Sequence, residues 1–126
     1  MKLGISYLYG DEPLPKDLPE ALRHFEAACR FEIAAGCTDA GLMHARGEGV
    51  QANPTEALGF YARACGGGHA SGCNNLGIAL HLAQGTERRG ADALRAFKRG
   101  CELDPESNAC PNLARLCADD PMPGCP

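Results

Sequence analysis

The chain has 126 residues and a formal net charge of −4, from 12 basic and 16 acidic side chains; only 6% of its residues are aromatic, and eight are cysteine. That balance gives no basic footprint for nucleic acid or an anionic membrane surface, and no apolar run approaches the roughly 18 residues of a membrane helix. A chain this long is one domain or a short array acting as one, with a core built from Ala, Leu and Gly contacts.

Residues 1–9 read as a first helix carrying Leu3-Gly4 and Tyr7, too short and too weakly apolar for a secretory signal. Leu3-Gly4 falls in register with Ala40-Gly41, Leu76-Gly77 and Leu113-Ala114. Each later copy follows a cysteine closely, and the cysteine matching the first would precede Met1. The expectation is an N-terminally truncated array. Residues 10–16 then form a loop.

Asp17-Leu18-Pro19-Glu20 opens the next helix with a capping side chain and an early proline. From Glu20 to Cys29 runs a ten-residue pattern that returns as Glu56–Cys65 and Asp92–Cys101, each 36 residues after the last. A fixed period of this size marks a stacked helical repeat. Within it, Leu22/Phe25/Cys29, Leu58/Tyr61/Cys65 and Leu94/Phe97/Cys101 lie at i, i+3, i+7 and define one buried face. Asn53-Pro54-Thr55-Glu56 is the best helix start, whereas Arg89 stands where the third copy needs a cap.

Each unit therefore reads as helix A then helix B. Helix A is expected over about residues 1–9, 38–46, 74–83 and 111–118, with a small residue near its start (Gly4, Gly41, Gly77, Ala114) so that a neighbouring backbone can approach. Mid-helix glycine costs about 1 kcal/mol against alanine, so its recurrence asks for a packing reason. Residues 47–50 and 84–86 are loops between A and B, and residues 66–72 and 103–108 link B to the next A. The units are about 1–36, 37–72 and 73–109, with a C-terminal capping helix and tail at 110–126.

The cysteines fall in pairs: Cys29/Cys37, Cys65/Cys73, Cys101/Cys110 and Cys117/Cys125. On one straight helix a spacing of eight separates Cα atoms by about 12 Å, beyond the roughly 7 Å limit of a disulfide. The pairs can bond only if the chain folds back between them, as Gly66-Gly67-Gly68 and Asp104-Pro105 allow. Three bridges would then join helix B of one unit to helix A of the next, and Cys117–Cys125 would staple the end of the array. Zinc is the weaker reading, because its ligands favour C-x₂₋₄-C spacing with clustered His, and His24, His44, His69 and His81 are scattered. Free or redox-active thiols are the other alternative. Local disulfides place the protein outside the reducing cytosol.

Ala40-Gly41-Leu42-Met43, Gly47-Glu48-Gly49-Val50, Asn53–Leu58 and Tyr61–Cys65 together resemble the Sel-one-like repeat (SLR) family, a relative of the tetratricopeptide repeat. The resemblance covers essentially the whole chain, and the cysteine pairs are similar to those of the family's cysteine-rich branch. It implies an all-α solenoid, a right-handed superhelix of about three helix pairs, whose concave groove binds protein or peptide ligands. On this reading the groove draws on A-helix positions Tyr7, Met43, His44, Leu80 and His81, the protein is a monomer, and no cofactor or metal is involved. Bacterial members of that branch are exported and often labelled beta-lactamase-like, and similar proteins work in the mitochondrial intermembrane space. Periplasm or secretion is thus the expected location, with the intermembrane space as alternative.

A beta-lactam-binding or hydrolysing protein is the competing function. A serine hydrolase of that kind needs an activated nucleophile, commonly Ser-x-x-Lys, and none of Ser6, Ser71 and Ser107 has Lys three residues on. Glu20, Glu48 and Glu56 read as helix-start or solvated carboxylates, and the histidines as surface or packed side chains. The residues favour a non-catalytic scaffold.

Overall fold

The computed structural model describes residues 17–83 and 89–126, which form six helices in the order α1 (Leu18–Arg30), α2 (Ala34–Arg46), α3 (Pro54–Gly66), α4 (Ala70–His81), α5 (Gly90–Leu103) and α6 (Ala109–Asp119). The first expected helix with its Tyr7, the loop at 10–16 and the loop at 84–86 lie outside the described residues. Helices α1, α3 and α5 are the B type, α2, α4 and α6 the A type, and each packs chiefly on its neighbours in sequence. The result is an array of helix pairs.

Local chemistry sets the B-helix starts. The Asp17 carboxylate accepts from the Glu20 N–H at 3.1 Å and Asn53 Oδ1 from the Glu56 N–H at 3.2 Å. Each satisfies an amide that has no partner in a first helical turn. Arg89 makes no side-chain cap bond at the start of α5.

The A helices begin earlier than the sequence pattern suggests, at Ala34, Ala70 and Ala109 rather than near 38, 74 and 111, and α4 ends at His81. Residues 66 and 70–72, expected in a linker, are helical, so the reversal between α3 and α4 shrinks to Gly67-Gly68-His69. The physical reason is the bridge itself. With the turn that short, Cys37 and Cys73 sit in the first turn of their helices, opposite the last turn of α1 and α3. Glu32 and Gly68 make the reversals at positive φ, 62° and 92°. Disulfides join Cys29–Cys37, Cys65–Cys73, Cys101–Cys110 and Cys117–Cys125, with Cα separations of 4.5, 4.4, 4.7 and 5.7 Å.

Beside each of the first three bridges two helices meet through one glycine and one alanine. A Cβ on Gly36 would lie 2.6 Å from that of Ala28, and one on Gly72 2.5 Å from that of Ala64. At the third bridge the partners exchange sides: Gly100 comes from the B helix and Ala109 from the A helix, at 2.8 Å. One methyl fits in that gap, and two do not.

The recurring A-helix glycine has a different partner from the expected backbone. A Cβ on Gly41 would stand 2.7 Å from Tyr61 Cε1, and one on Gly77 2.6 Å from Phe97 Cε1. Each glycine is a socket for the aromatic ring of the following B helix. Ala114, at the matching position, is exposed among the described residues.

Leu22, Phe25, Cys29, Tyr61, Cys65, Leu94 and Phe97 are buried, as their spacing requires; Leu58 and Cys101 are only partly so. Successive B helices are clipped together at their ends. Arg63 Nη2 donates to the Cys29 carbonyl at 3.1 Å, and Arg99 Nε to the Cys65 carbonyl at 2.9 Å. These are last-turn carbonyls, where a cation is favoured. After α6 the tail turns back, Met122 and Cys125 pack on the C-terminal core, and Lys98 Nζ donates to the Gly124 carbonyl at 3.1 Å.

Candidate functional site

Two A helices, α4 and α6, diverge over the ring of Phe97 and leave a cleft of about 350 Å³ between them. Ile78, Phe97 and Leu116 form its apolar floor. His81 and Leu82 come from the end of α4, and Asn112, Arg115 and Asp119 from α6. Leu82 is 58% exposed, a large apolar side chain left in water at the cleft mouth. Spacing explains the lining: Ile78/Leu82 and Arg115/Asp119 are i, i+4 pairs and so share one helix face each.

The polar side is held in place across the two helices. Asn112 Nδ2 donates to Asn74 Oδ1 at 2.7 Å, and Arg115 Nη1 to Asn112 Oδ1 at 3.4 Å. His81 Nδ1 is buried and takes no hydrogen bond from the described residues. Between α2 and α4 the corresponding tie is Thr38 Oγ1 to His69 Nδ1, at 2.7 Å. Beside it, burial holds the Asp39 carboxyl above the ordinary carboxylate range, against the opposing pull of His69. An apolar floor with a fixed amide, a guanidinium and a carboxylate at its rim suits recognition of a side chain or peptide backbone. Among the described residues no hydroxyl or thiol lines it. Among the described residues no three His, Cys, Asp or Glu side chains gather as metal ligands, and no helix is long and apolar enough to cross a membrane.

Of the described residues expected to line a groove (Met43, His44, Leu80 and His81), His81 belongs to this cleft. Met43 is 1% exposed in the core with Phe25 and Leu22. His44 is also buried, stacked on Phe60 with ring centroids 5.1 Å apart, with Nε2 2.9 Å from Glu26 Oε2. It joins helices rather than facing a ligand. Leu80 packs with Leu94 and Phe97 and borders a different groove, on the other side of α4. Met43 and His44 are misplaced because α2 lies between two B helices, which cover its apolar stripe. The residues missed (Ile78, Leu82, Asn112, Arg115, Asp119) carry the i, i+4 signal, but the same signal marks core elsewhere in the chain.

The family model for the Sel1 repeat matches residues 1–30, 34–69 and 70–98. Among solved structures, a Sel1 repeat protein from Oxalobacter formigenes is similar with a TM-score of 0.83 at 24% identity, over 94% of this chain and 48% of that one. The Helicobacter pylori cysteine rich protein B gives 0.70 at 26% identity, over 75% of this chain and 70% of that one. The c5321 protective antigen of uropathogenic Escherichia coli, described as displaying an SLR fold, gives 0.84 at 22% identity, over 94% and 25%. Among curated proteins, cytochrome c oxidase assembly factor 7A of Xenopus laevis is 39% identical over 51 residues, which is 40% of this chain and 22% of that protein. The matched repeats span most of the sequence, and their helix pairs are those of the structure: the chain belongs to the Sel1 repeat family.

Proposed function

We propose that the protein is a monomeric, non-catalytic scaffold that binds a protein or peptide ligand in an oxidising compartment. The observation that carries this reading is the α4/α6 cleft, with an apolar floor, exposed Leu82 and a bonded Asn112/Arg115 rim. Four disulfides among the eight cysteines, with no free thiol among the described residues, support the compartment. Periplasm or secretion fits best; the intermembrane space is the alternative that the likeness to the Xenopus assembly factor supports.

A displayed peptide library panned against the oxidised protein tests this. Enriched peptides are expected to lose binding to Leu82→Glu and Arg115→Glu variants that melt like the parent. Equal capture by both variants would remove the cleft from the reading. A chromogenic beta-lactam tests the competing hydrolase reading, for which the described cleft lining offers no hydroxyl or thiol nucleophile. Turnover above background that persists through purification and disappears in a cleft variant would replace the scaffold by an enzyme.

A further inference from the structure

The opposite side of α4 borders a second groove, of about 410 Å³, between the B helices α3 and α5. Leu76 and Leu80, one turn apart on α4, form its floor, on the face roughly 180° from Ile78 and Leu82 at about 100° per residue. Leu58 and Ala62 of α3 and Ala96 of α5 make its walls. Leu58 and Leu76 are only partly covered by the core beneath.

One rim of this groove is basic in a protein that is acidic overall. Among the described residues Arg89, Arg95 and Arg99 line it with a single carboxylate, Asp92. Asp92 is shared: Arg95 pairs with it, and Arg89 Nη1 lies 3.7 Å from its Oδ2. Arg99 donates to the carbonyls of Cys65 and Gly66, at 2.9 and 3.4 Å, and so spends its donors on neutral acceptors. Three guanidinium groups facing one carboxylate leave a net positive edge beside an apolar channel. Arg95, at 70% side-chain exposure, is open to a partner. The second unit has no such edge, since the positions matching Arg89 and Arg95 are Asn53 and Gly59.

We infer that this α3/α5 groove binds an acidic amphipathic peptide segment of a partner protein, with apolar side chains on Leu58, Leu76 and Leu80 and its carboxylates against Arg89 and Arg95. Charge complementarity selects the partner, because a cationic or neutral helix would leave the guanidinium groups of Arg89 and Arg95 sharing the one carboxylate of Asp92. The apolar channel separates a peptide from a simple polyanion, which would engage only the rim.

The test uses the oxidised full chain and a fluorescein-labelled synthetic peptide of about 14 residues, about 21 Å as a helix. Its Leu residues are spaced i, i+3, i+4, i+7, with Glu flanking them. Comparison peptides keep the composition in scrambled order, or carry Lys for Glu. Anisotropy is expected to show saturable binding of the first peptide only, weakening as salt rises from about 0.05 to about 0.5 M. Arg95→Glu and Ala62→Glu, both on exposed helix surface, should each weaken it about three- to tenfold while far-UV melting stays near the parent. Leu82→Glu, in the α4/α6 cleft, should leave it unchanged, so failure of that cleft as a binding site does not decide this one. Equal binding of the scrambled peptide, no loss in Arg95→Glu and Ala62→Glu, or displacement by heparin with no dependence on Ala62 would each overturn the inference.

Discussion

Gly77→Ala is expected to destabilise the protein although it replaces glycine by the best helix former. On helix propensity alone the change in mid-α4 should add about 1 kcal/mol. The new Cβ, however, would stand 2.6, 2.7 and 2.8 Å from Cε1, Cδ1 and Cζ of Phe97. That ring is 3% exposed and packed in the C-terminal core, so it cannot retreat cheaply. Overpacking of this kind costs roughly 1–3 kcal/mol, and it should outweigh the propensity gain by about 1 kcal/mol. Far-UV melting of the oxidised protein should place Gly77→Ala roughly 3–6 °C below the parent. Gly59→Ala is the internal control, since nothing lies within 4 Å of its added Cβ. It should melt above the parent by a similar margin. In a Phe97→Leu background the penalty at residue 77 should shrink. A Gly77→Ala protein as stable as the parent, or a penalty undiminished in the Phe97→Leu background, would refute the socket.

Arg63→Met should lower stability by about 1 kcal/mol by removing the donor to the Cys29 carbonyl, read by chemical denaturation. Limited reduction followed by alkylation and mass spectrometry should open Cys101–Cys110 and Cys117–Cys125 first. Cys29, Cys37, Cys65 and Cys73 are at most 5% exposed, whereas the four C-terminal cysteines are more accessible. Cys125→Ser should cost about 2.5 kcal/mol by loop-entropy loss and free the tail from α6, seen as faster amide exchange at residues 122–126. At Asp39 burial raises the folded-state pKa above its ordinary value of 3.8. The folded state therefore binds the proton more tightly, and the stability difference this contributes is lost as pH rises through the carboxylate range. Asp39→Asn should flatten that slope in melts taken from acid to neutral pH; an unchanged slope would mean the carboxyl is not desolvated.

Much of the fold was legible because it depends on local chemistry. The capping residues Asp17 and Asn53 act within three residues of themselves. The bridges needed only a chain reversal between closely spaced cysteines, and Gly67-Gly68 supplies one. Helix A boundaries were less legible. Ile33 and His69 offer no side-chain cap, so nothing in the residues marks where α2 and α4 begin, and the disulfide turn decides it. Nor do the residues say which faces of an A helix its two B neighbours cover, and so Met43 and His44 entered the expected groove, while Leu80 borders a different one.

The 36-residue period by itself pointed to the helix pairs, the buried stripe Leu22/Phe25/Cys29 with its two echoes, and local pairing of the first six cysteines. Each is a statement about residues near one another in sequence or repeated at a fixed interval. Tertiary structure alone decided what fills the space at Gly41 and Gly77, why glycine and alanine exchange sides between Gly36/Ala28 and Gly100/Ala109, and which surface is open. The two grooves belong to that second class. Their linings join residues as far apart in the chain as Leu58 and Arg99 or Ile78 and Asp119. Ring-in-socket contacts at Gly41 and Gly77 and the Arg63 and Arg99 clips are the long-range contacts that hold those elements together.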